Sequence, residues 1–243
     1  MRILIRLTRI CWLVLVAASL AGCSSSGNNS EDCPPPDLTY NPSINPADFI
    51  SVIDNPLLPF VPGTRYVIQS SEERSVVTVT NDTKLILGVT TTVVHDVISA
   101  GGEITEDTYD WYAQDTAGNV WYFGEDAKQY EGGQLVGTEG SWEAGVNGAK
   151  PGIVMHGTQP AIGSAYRQEY AACVAEDMAE VVSLTASVTV PYGHFDNCLQ
   201  TNEFSPLEPD AHEDKYYAPG VGLVLVVDLN TGVRMELIEV TTP

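Results

Sequence analysis

The chain has 243 residues, with 32 acidic against 11 basic side chains, a formal charge of −21 and 44% hydrophobic residues. The charge balance argues against nucleic acid as a partner, because phosphate binding needs clustered Lys and Arg to release counterions. It equally excludes a basic patch for anionic lipid heads, and the apolar content sets the chain apart from disordered composition.

Arg2, Arg6 and Arg9 form a charged start, Cys11 to Leu20 an apolar run, and small residues lead into Cys23. The run is about half of the ~20 residues a spanning helix needs, so residues 1–22 are expected as a signal peptide rather than a membrane span. Leu20-Ala21-Gly22-Cys23 resembles the lipobox of bacterial lipoproteins. That resemblance implies lipidation of Cys23, removal of residues 1–22, and a location in the cell envelope on the periplasmic or extracellular side. Loss of Arg2, Arg6 and Arg9 then takes the formal charge from −21 to −24. The lipid on Cys23 is the expected contact with the membrane.

Residues 23–44 are expected as a flexible anchor linker. Ser24 to Asn29 is small and polar, and Cys33-Pro34-Pro35-Pro36 adds stiffness next to it. Asn45-Pro46-Ala47-Asp48 has the cap and first-turn chemistry of a short N-terminal helix. It would present Phe49, Ile50, Val52 and Ile53 on one face and stop at Asn55-Pro56.

From Gly63 onward the pattern is that of strands. Arg65 to Gln69, Ser75 to Thr80 and Thr90 to Ile98 are rich in β-branched and aromatic residues, bounded by Asn81-Asp82, Gly88 and Gly101-Gly102. Thr108 to Gln114 and Asn119 to Phe123 flank Asp115-Thr116-Ala117-Gly118, a hairpin turn whose glycine can take a positive φ. Residues 45–243 are therefore expected as one β domain.

The second half echoes the first. Pro62-Gly63-Thr64-Arg65-Tyr66 corresponds to Ile162-Gly163-Ser164-Ala165-Tyr166, and Gly88 before Thr90 corresponds to Gly193 before Phe195. Glu106-Asp107-Thr108-Tyr109-Asp110-Trp111-Tyr112-Ala113 matches Glu213-Asp214-Lys215-Tyr216-Tyr217-Ala218 across a gap, and Asn119 to Phe123 matches Val221 to Leu225. The expected fold is all-β: two repeated antiparallel meander units, 56–124 and 162–243, packed as a sandwich or partly closed barrel. The insertion 125–161, with the turn Glu131-Gly132-Gly133-Gln134, is expected over one mouth of the sheet pair.

With Cys11 removed and Cys23 lipidated, Cys33, Cys173 and Cys198 remain, so at least one stays free or pairs elsewhere. Strands carrying Cys173 and Cys198 two steps apart would separate them by roughly 9.5 Å, beyond the ~7 Å limit for a bridge. Cys33 is geometrically free to reach a partner. The pairing stays open.

Asp54-Asn55-Pro56-Leu57-Leu58-Pro59-Phe60-Val61-Pro62-Gly63-Thr64-Arg65-Tyr66 resembles the opening of a family of uncharacterised bacterial exported lipoproteins. Asp110-Trp111-Tyr112-Ala113-Gln114-Asp115, Trp121-Tyr122-Phe123-Gly124-Glu125 and Tyr216-Tyr217-Ala218-Pro219-Gly220-Val221-Gly222-Leu223-Val224 share that resemblance, which implies no particular activity. The last stretch is also similar to envelope lipoproteins whose half-closed sheets hold apolar ligands, an analogy of fold only.

Among candidate sites, the acidic cluster Glu103, Glu106, Asp107, Asp110, Asp115, Glu125 and Asp126 has the ligand type that calcium needs. Asp115 to Asp126 departs from a calcium loop, with Ala117 third, Val120 sixth and Asp126 twelfth. Met155, His156, His194, Cys198 and His212 could meet as a copper or zinc site, although His95, His156, His194 and His212 lack metal-ligand spacing. Ser141 lacks the glycine of a nucleophile elbow. Carboxylates such as Glu106 and Asp110 could serve glycoside hydrolysis, and Trp111, Tyr112, Trp121, Tyr122, Phe123, Tyr130 and Trp142 could form a stacking platform or simply cross-strand pairs. No catalytic or cofactor-binding residue is assigned. The expected function is a lipid-anchored, non-catalytic module that binds a small molecule, glycan or protein. The alternatives are a hydrolase of envelope or extracellular polymers, or a calcium-dependent structural protein.

Overall fold

Strands with one apolar face must bury it, and a long antiparallel meander can do so by curling until its edges approach each other. A computed structural model describes residues 33–243; the expected signal peptide, Cys23 and Ser24 to Asn29 lie outside the described residues. After a three-residue 3-10 turn at Pro46–Asp48 come β1 (Phe49–Ile50), β2 (Arg65–Gln69), β3 (Glu73–Ile86), β4 (Val89–Ala100), β5 (Glu103–Asp115) and β6 (Val120–Glu131). The chain continues through β7 (Gln134–Gly137), β8 (Trp142–Glu143), β9 (Lys150–Met155), β10 (Ala165–Arg167) and β11 (Glu169–Tyr170). The last five are β12 (Met178–Val190), β13 (Gly193–Ser205), β14 (Glu208–Ala218), β15 (Gly222–Asp228) and β16 (Arg234–Thr241).

The neighbours run β10-β12-β13-β14-β15-β16-β2-β3-β4-β5-β6-β9-β11, all antiparallel. The two ends of that order, β10 and β11, are consecutive pieces of one stretch, interrupted only at Gln168. The sheet thus returns to its own start as a nearly closed barrel, not a sandwich. Closure needs Gly152 on β9: a Cβ there would lie 2.3 Å from the Gln168 carbonyl carbon and 2.6 Å from the Glu169 nitrogen. Only a residue without a side chain lets β9 approach β11 so closely.

Antiparallel pairing throughout sorts the connections onto two rims. One rim, the cysteine rim, carries Cys173 in the loop 171–177 together with the turns 70–72, 101–102, 132–133, 206–207 and 229–233. The other, the plug rim, carries 87–88, 116–119, 156–164, 191–192 and 219–221.

The plug is the segment 53–60. Its Ile53, Leu58 and Phe60 are buried in the main core, and Ile53 bridges Phe60. Each such side chain contributes about 1.5–3 kcal/mol by leaving water. Asp54 and Asn55 donate backbone N–H bonds to Gln114 Oε1 at 2.9 and 2.8 Å, and the Asn55 amide donates to the Gly118 and His156 carbonyls. The Tyr66 hydroxyl donates to the Pro59 carbonyl at 2.8 Å.

Several expectations change. Asn45 does cap a turn, accepting from the Ala47 N–H at 3.3 Å, but the helix ends at Asp48, because Phe49–Ile50 pairs with Asp115–Gln114 of β5 instead. Residues 33–44 of the expected linker are fastened to the wall. A Cys33–Cys173 disulfide with Cα atoms 5.4 Å apart begins the attachment. Asp37 pairs with Arg167 at 3.1 Å, and the Tyr40 hydroxyl donates to the Pro151 carbonyl at 2.8 Å. Cys198 is left as a buried free thiol on β13. The insertion does not cover a mouth: its β9 is the wall strand between β6 and β11. Asn81-Asp82 is no turn either, but lies inside β3 where the register shifts between Val79 and Thr83.

Gly152→Ala should destabilise the fold by about 3 kcal/mol through backbone overpacking, lowering the melting temperature by roughly 5–10 °C. Thermal unfolding followed by circular dichroism checks this, and an unchanged midpoint would remove Gly152 from the closure argument.

Candidate functional site

Alternation along β5 decides what its carboxylates can do. Thr108, Asp110 and Tyr112 are buried inside the barrel with Glu106 beside them, whereas Asp107 sits outside, 3.0 Å from His95. Across the ladder Asp110 faces Glu125 of β6. The Tyr122 hydroxyl stands 2.6 Å from Asp110 Oδ1 and 2.9 Å from Glu125 Oε2. One hydroxyl has one proton, so it can donate to one carboxylate only. The other carboxyl must carry a proton of its own to complete the second bond.

The electrostatics agree. Burial pushes Asp110 up, and burial with the charges of Asp110 and Glu169 pushes Glu125 well above its ordinary value. Asp96, opposite Thr108 on β4, is raised to about 7, chiefly by burial, despite a 2.7 Å bond from the Ser75 hydroxyl. Tyr112 stacks on Tyr122 with ring centres 4.8 Å apart, and its hydroxyl has no hydrogen-bond partner among the described residues. Trp142 packs edge-on against Tyr122 and donates its indole N–H to Glu169 Oε2 at 2.9 Å.

The second half solves the same problem with a cation. Lys215 Nζ lies 2.6 Å from Glu203 Oε2, and Glu203 also accepts from the Tyr217 and Thr201 hydroxyls. Burial alone would raise Glu203, but Lys215 holds it below the ordinary carboxylate value. Glu213, 3.8 Å from Lys215, is raised by burial to about 7.

The interior nearer the plug rim is apolar. A small, shallow apolar pocket open to solvent lies where the two halves meet, lined among others by Leu58, Phe60, Tyr66, Ile68, Val221 and Leu223. The sequence did not single out this pocket. Its signal was the Pro-rich apolar segment at 56–60, which follows no strand or helix period.

The remaining candidates disperse. Glu103 is exposed at the cysteine rim, Asp126 pairs with Lys128, and Asp115 accepts from the Ala117 and Asn119 N–H groups of its own turn and from the Trp121 indole. Among the described residues no three His, Cys, Asp or Glu are grouped to hold a metal ion. His194 contacts Thr189, His212 contacts Asn202, and the His156 ring packs on Tyr166, so they do not meet with Met155 and Cys198. Ser141 bonds the backbone of Ala127. The aromatic residues form no open platform: Tyr112, Tyr122 and Phe123 are core, and Lys84 Nζ covers the Trp111 ring at 3.3 Å.

No family model matches the chain, and no curated protein does. Two solved structures are similar. One, from Bacteroides fragilis NCTC 9343, is described as exported with a YmcC-like fold; it is 12% identical, with a TM-score of 0.44 over 76% of this chain and 98% of that one. The other, described as a lipoprotein from Parabacteroides distasonis ATCC 8503, is 13% identical, with a TM-score of 0.34 over 76% and 98% of the two chains. Likenesses at that level say nothing about chemistry.

A carboxyl raised in the folded state binds its proton more tightly folded than unfolded. Its stability contribution is complete at low pH and is lost as pH climbs from the unfolded toward the folded value. For Asp96 and Glu213 that window runs from about 4 to about 7, and the Asp110–Glu125 pair has the same sign. Glu203 acts in the opposite sense, but only below the ordinary carboxylate range. Urea unfolding should therefore show stability falling between about pH 4 and about pH 7, and Asp96→Asn should reduce that fall by on the order of 1–3 kcal/mol. A flat or rising wild-type profile would contradict the protonated interior.

Proposed function

We propose that this is a lipid-anchored bacterial envelope protein whose barrel is a non-catalytic binding module for a small apolar ligand. The observation that carries the reading is the apolar pocket where β2 and β3 of the first half meet β15 of the second beneath the plug. Pockets of this kind, lined almost wholly by aliphatic and aromatic side chains, suit ligands held by burial rather than by charge. Asp110 and Glu125 we read as structural: their side chains are 2% and 4% exposed, behind Tyr122 and Trp142, which gives a polymer chain no approach. Glycoside hydrolysis needs both carboxyls beside an accessible bond.

We also read the barrel as a duplicated unit. Gly63 donates to the Val79 carbonyl and Gly163 to the Val181 carbonyl, both at 2.8 Å, and Val79 and Val181 donate back to Thr64 and Ser164. Asp96 opposite Thr108, with Asp110 two residues on, is answered by Glu203 opposite Glu213, with Lys215 two residues on. Anchoring follows from the lipobox resemblance at Cys23.

Two measurements test these readings. Nile red, a neutral apolar dye, should bind saturably with a Kd in about the micromolar range, and Val221→Trp, which fills the pocket from its rim, should weaken binding about tenfold with the melting temperature preserved. Absence of saturable binding would overturn the binding module. Cys23→Ala should shift the protein from the membrane to the soluble fraction, and persistence with membranes would overturn lipid anchoring.

A further inference from the structure

We propose that the cysteine rim is the face turned toward the membrane, and that its apolar turn residues rest on a zwitterionic lipid surface; this depends on the lipid anchor at Cys23. The length of the leash selects the face. Ten residue-to-residue steps join Cys23 to Cys33, a reach of at most ~35 Å at full extension. Cys33 is bonded to Cys173 in the loop 171–177, so the leash departs from the cysteine rim. Asp37–Arg167 and the Asp37 N–H to Tyr170 hydroxyl bond, 2.7 Å, hold the next residues against the wall beside it.

The opposite rim is out of reach. β4, β5, β12 and β13 have 12 to 13 residues. At ~3.3 Å per residue and a tilt of ~40°, the rims stand ~30–35 Å apart. For the plug rim to meet the same bilayer, the leash would lie fully stretched along the wall with no length left to enter the lipid.

The cysteine rim also has side chains suited to that surface. Ile104 is 47% exposed, Leu135 56%, Val136 55% and Leu229 50%, all on or beside its turns, and Leu38 at 86% lies on the docked segment. Exposed apolar residues such as Leu85 and Ile162 occur toward the plug rim as well, so apolarity alone does not choose between the rims. Glu72, Glu103, Glu131 and Asp210 lie at the same rim as Leu135 and Leu229. Anionic headgroups within a Debye length of ~8–10 Å would repel them, which is why the partner is a zwitterionic surface.

The test uses full-length lipidated protein reconstituted in phosphatidylcholine vesicles with brominated acyl chains, comparing Leu135→Trp with Ile162→Trp after subtraction of the wild-type emission. The Trp introduced by Leu135→Trp should shift to the blue and be quenched about twofold, as expected at interfacial depth, while that from Ile162→Trp should match its solution spectrum. Adding phosphatidylglycerol at low salt should reduce the quenching at position 135. Equal quenching at both positions, or more at 162, overturns the orientation, and undiminished quenching on anionic vesicles overturns the choice of lipid. Protein that floats with vesicles but shows no quenching at 135 leaves the anchor standing and removes the docked rim. Protein that does not float removes the anchor and this inference with it.

Discussion

The barrel depends on the six residues from Ala165 to Tyr170. Without them β12 and β9 would each present an unpaired edge, and a curled sheet with two open edges is a template for aggregation. This stretch pairs with β12 through Ala165–Arg167 and with β9 through Glu169–Tyr170. Closing the ring there fixes three other things. Glu169 is brought inside to receive the Trp142 indole, Arg167 and Tyr170 face the N-terminal segment, and Cys173 comes directly after on the rim. Wall closure, interior polarity and the attachment of the N-terminal segment therefore share one short segment.

Much of the wall was legible in the sequence, because β-branched runs and turn glycines are local signals. The turns at Asp115–Gly118 and Gly132–Gly133 stand where their composition placed them. The features that were not legible depend on distant partners. β9 begins Lys150-Pro151-Gly152, and its proline and glycine ordinarily demote a strand. Yet Pro151 leaves its carbonyl for Tyr40, and Gly152 is there for the close approach of Gln168. The Cys33–Cys173 pairing spans 140 residues and has no local signature at all.

The acidic cluster shows the same limit differently. Seven carboxylates between Glu103 and Asp126 look like one surface when written in a line. The period of two sends Asp110 and Glu125 inward and Asp107 and Asp126 outward, and Asp115 is consumed by its own turn. Composition suggested a cation site; register dismantled it. Register assembled instead a carboxyl pair sharing Tyr122, and the sequence showed of it only that Asp110 and Glu125 belong to the same acidic run.

That pair bears on how the interior is arranged. The second half balances buried Glu203 with Lys215, whereas the first half buries Asp96 and Asp110 with the pKa of both raised and meets the same need with protons. Buried acid without a cation avoids the cost of an unpaired buried charge by keeping its proton, and the Ser75 and Tyr122 hydroxyls form hydrogen bonds with Asp96, Asp110 and Glu125. The consequence is a barrel with two unlike regions, a polar network midway along the wall and an apolar pocket under the plug. In the proposed orientation, with the cysteine rim against the lipid, the pocket would stand at the far rim. A ligand would then approach from the aqueous side, past the Pro-rich plug, rather than from the bilayer.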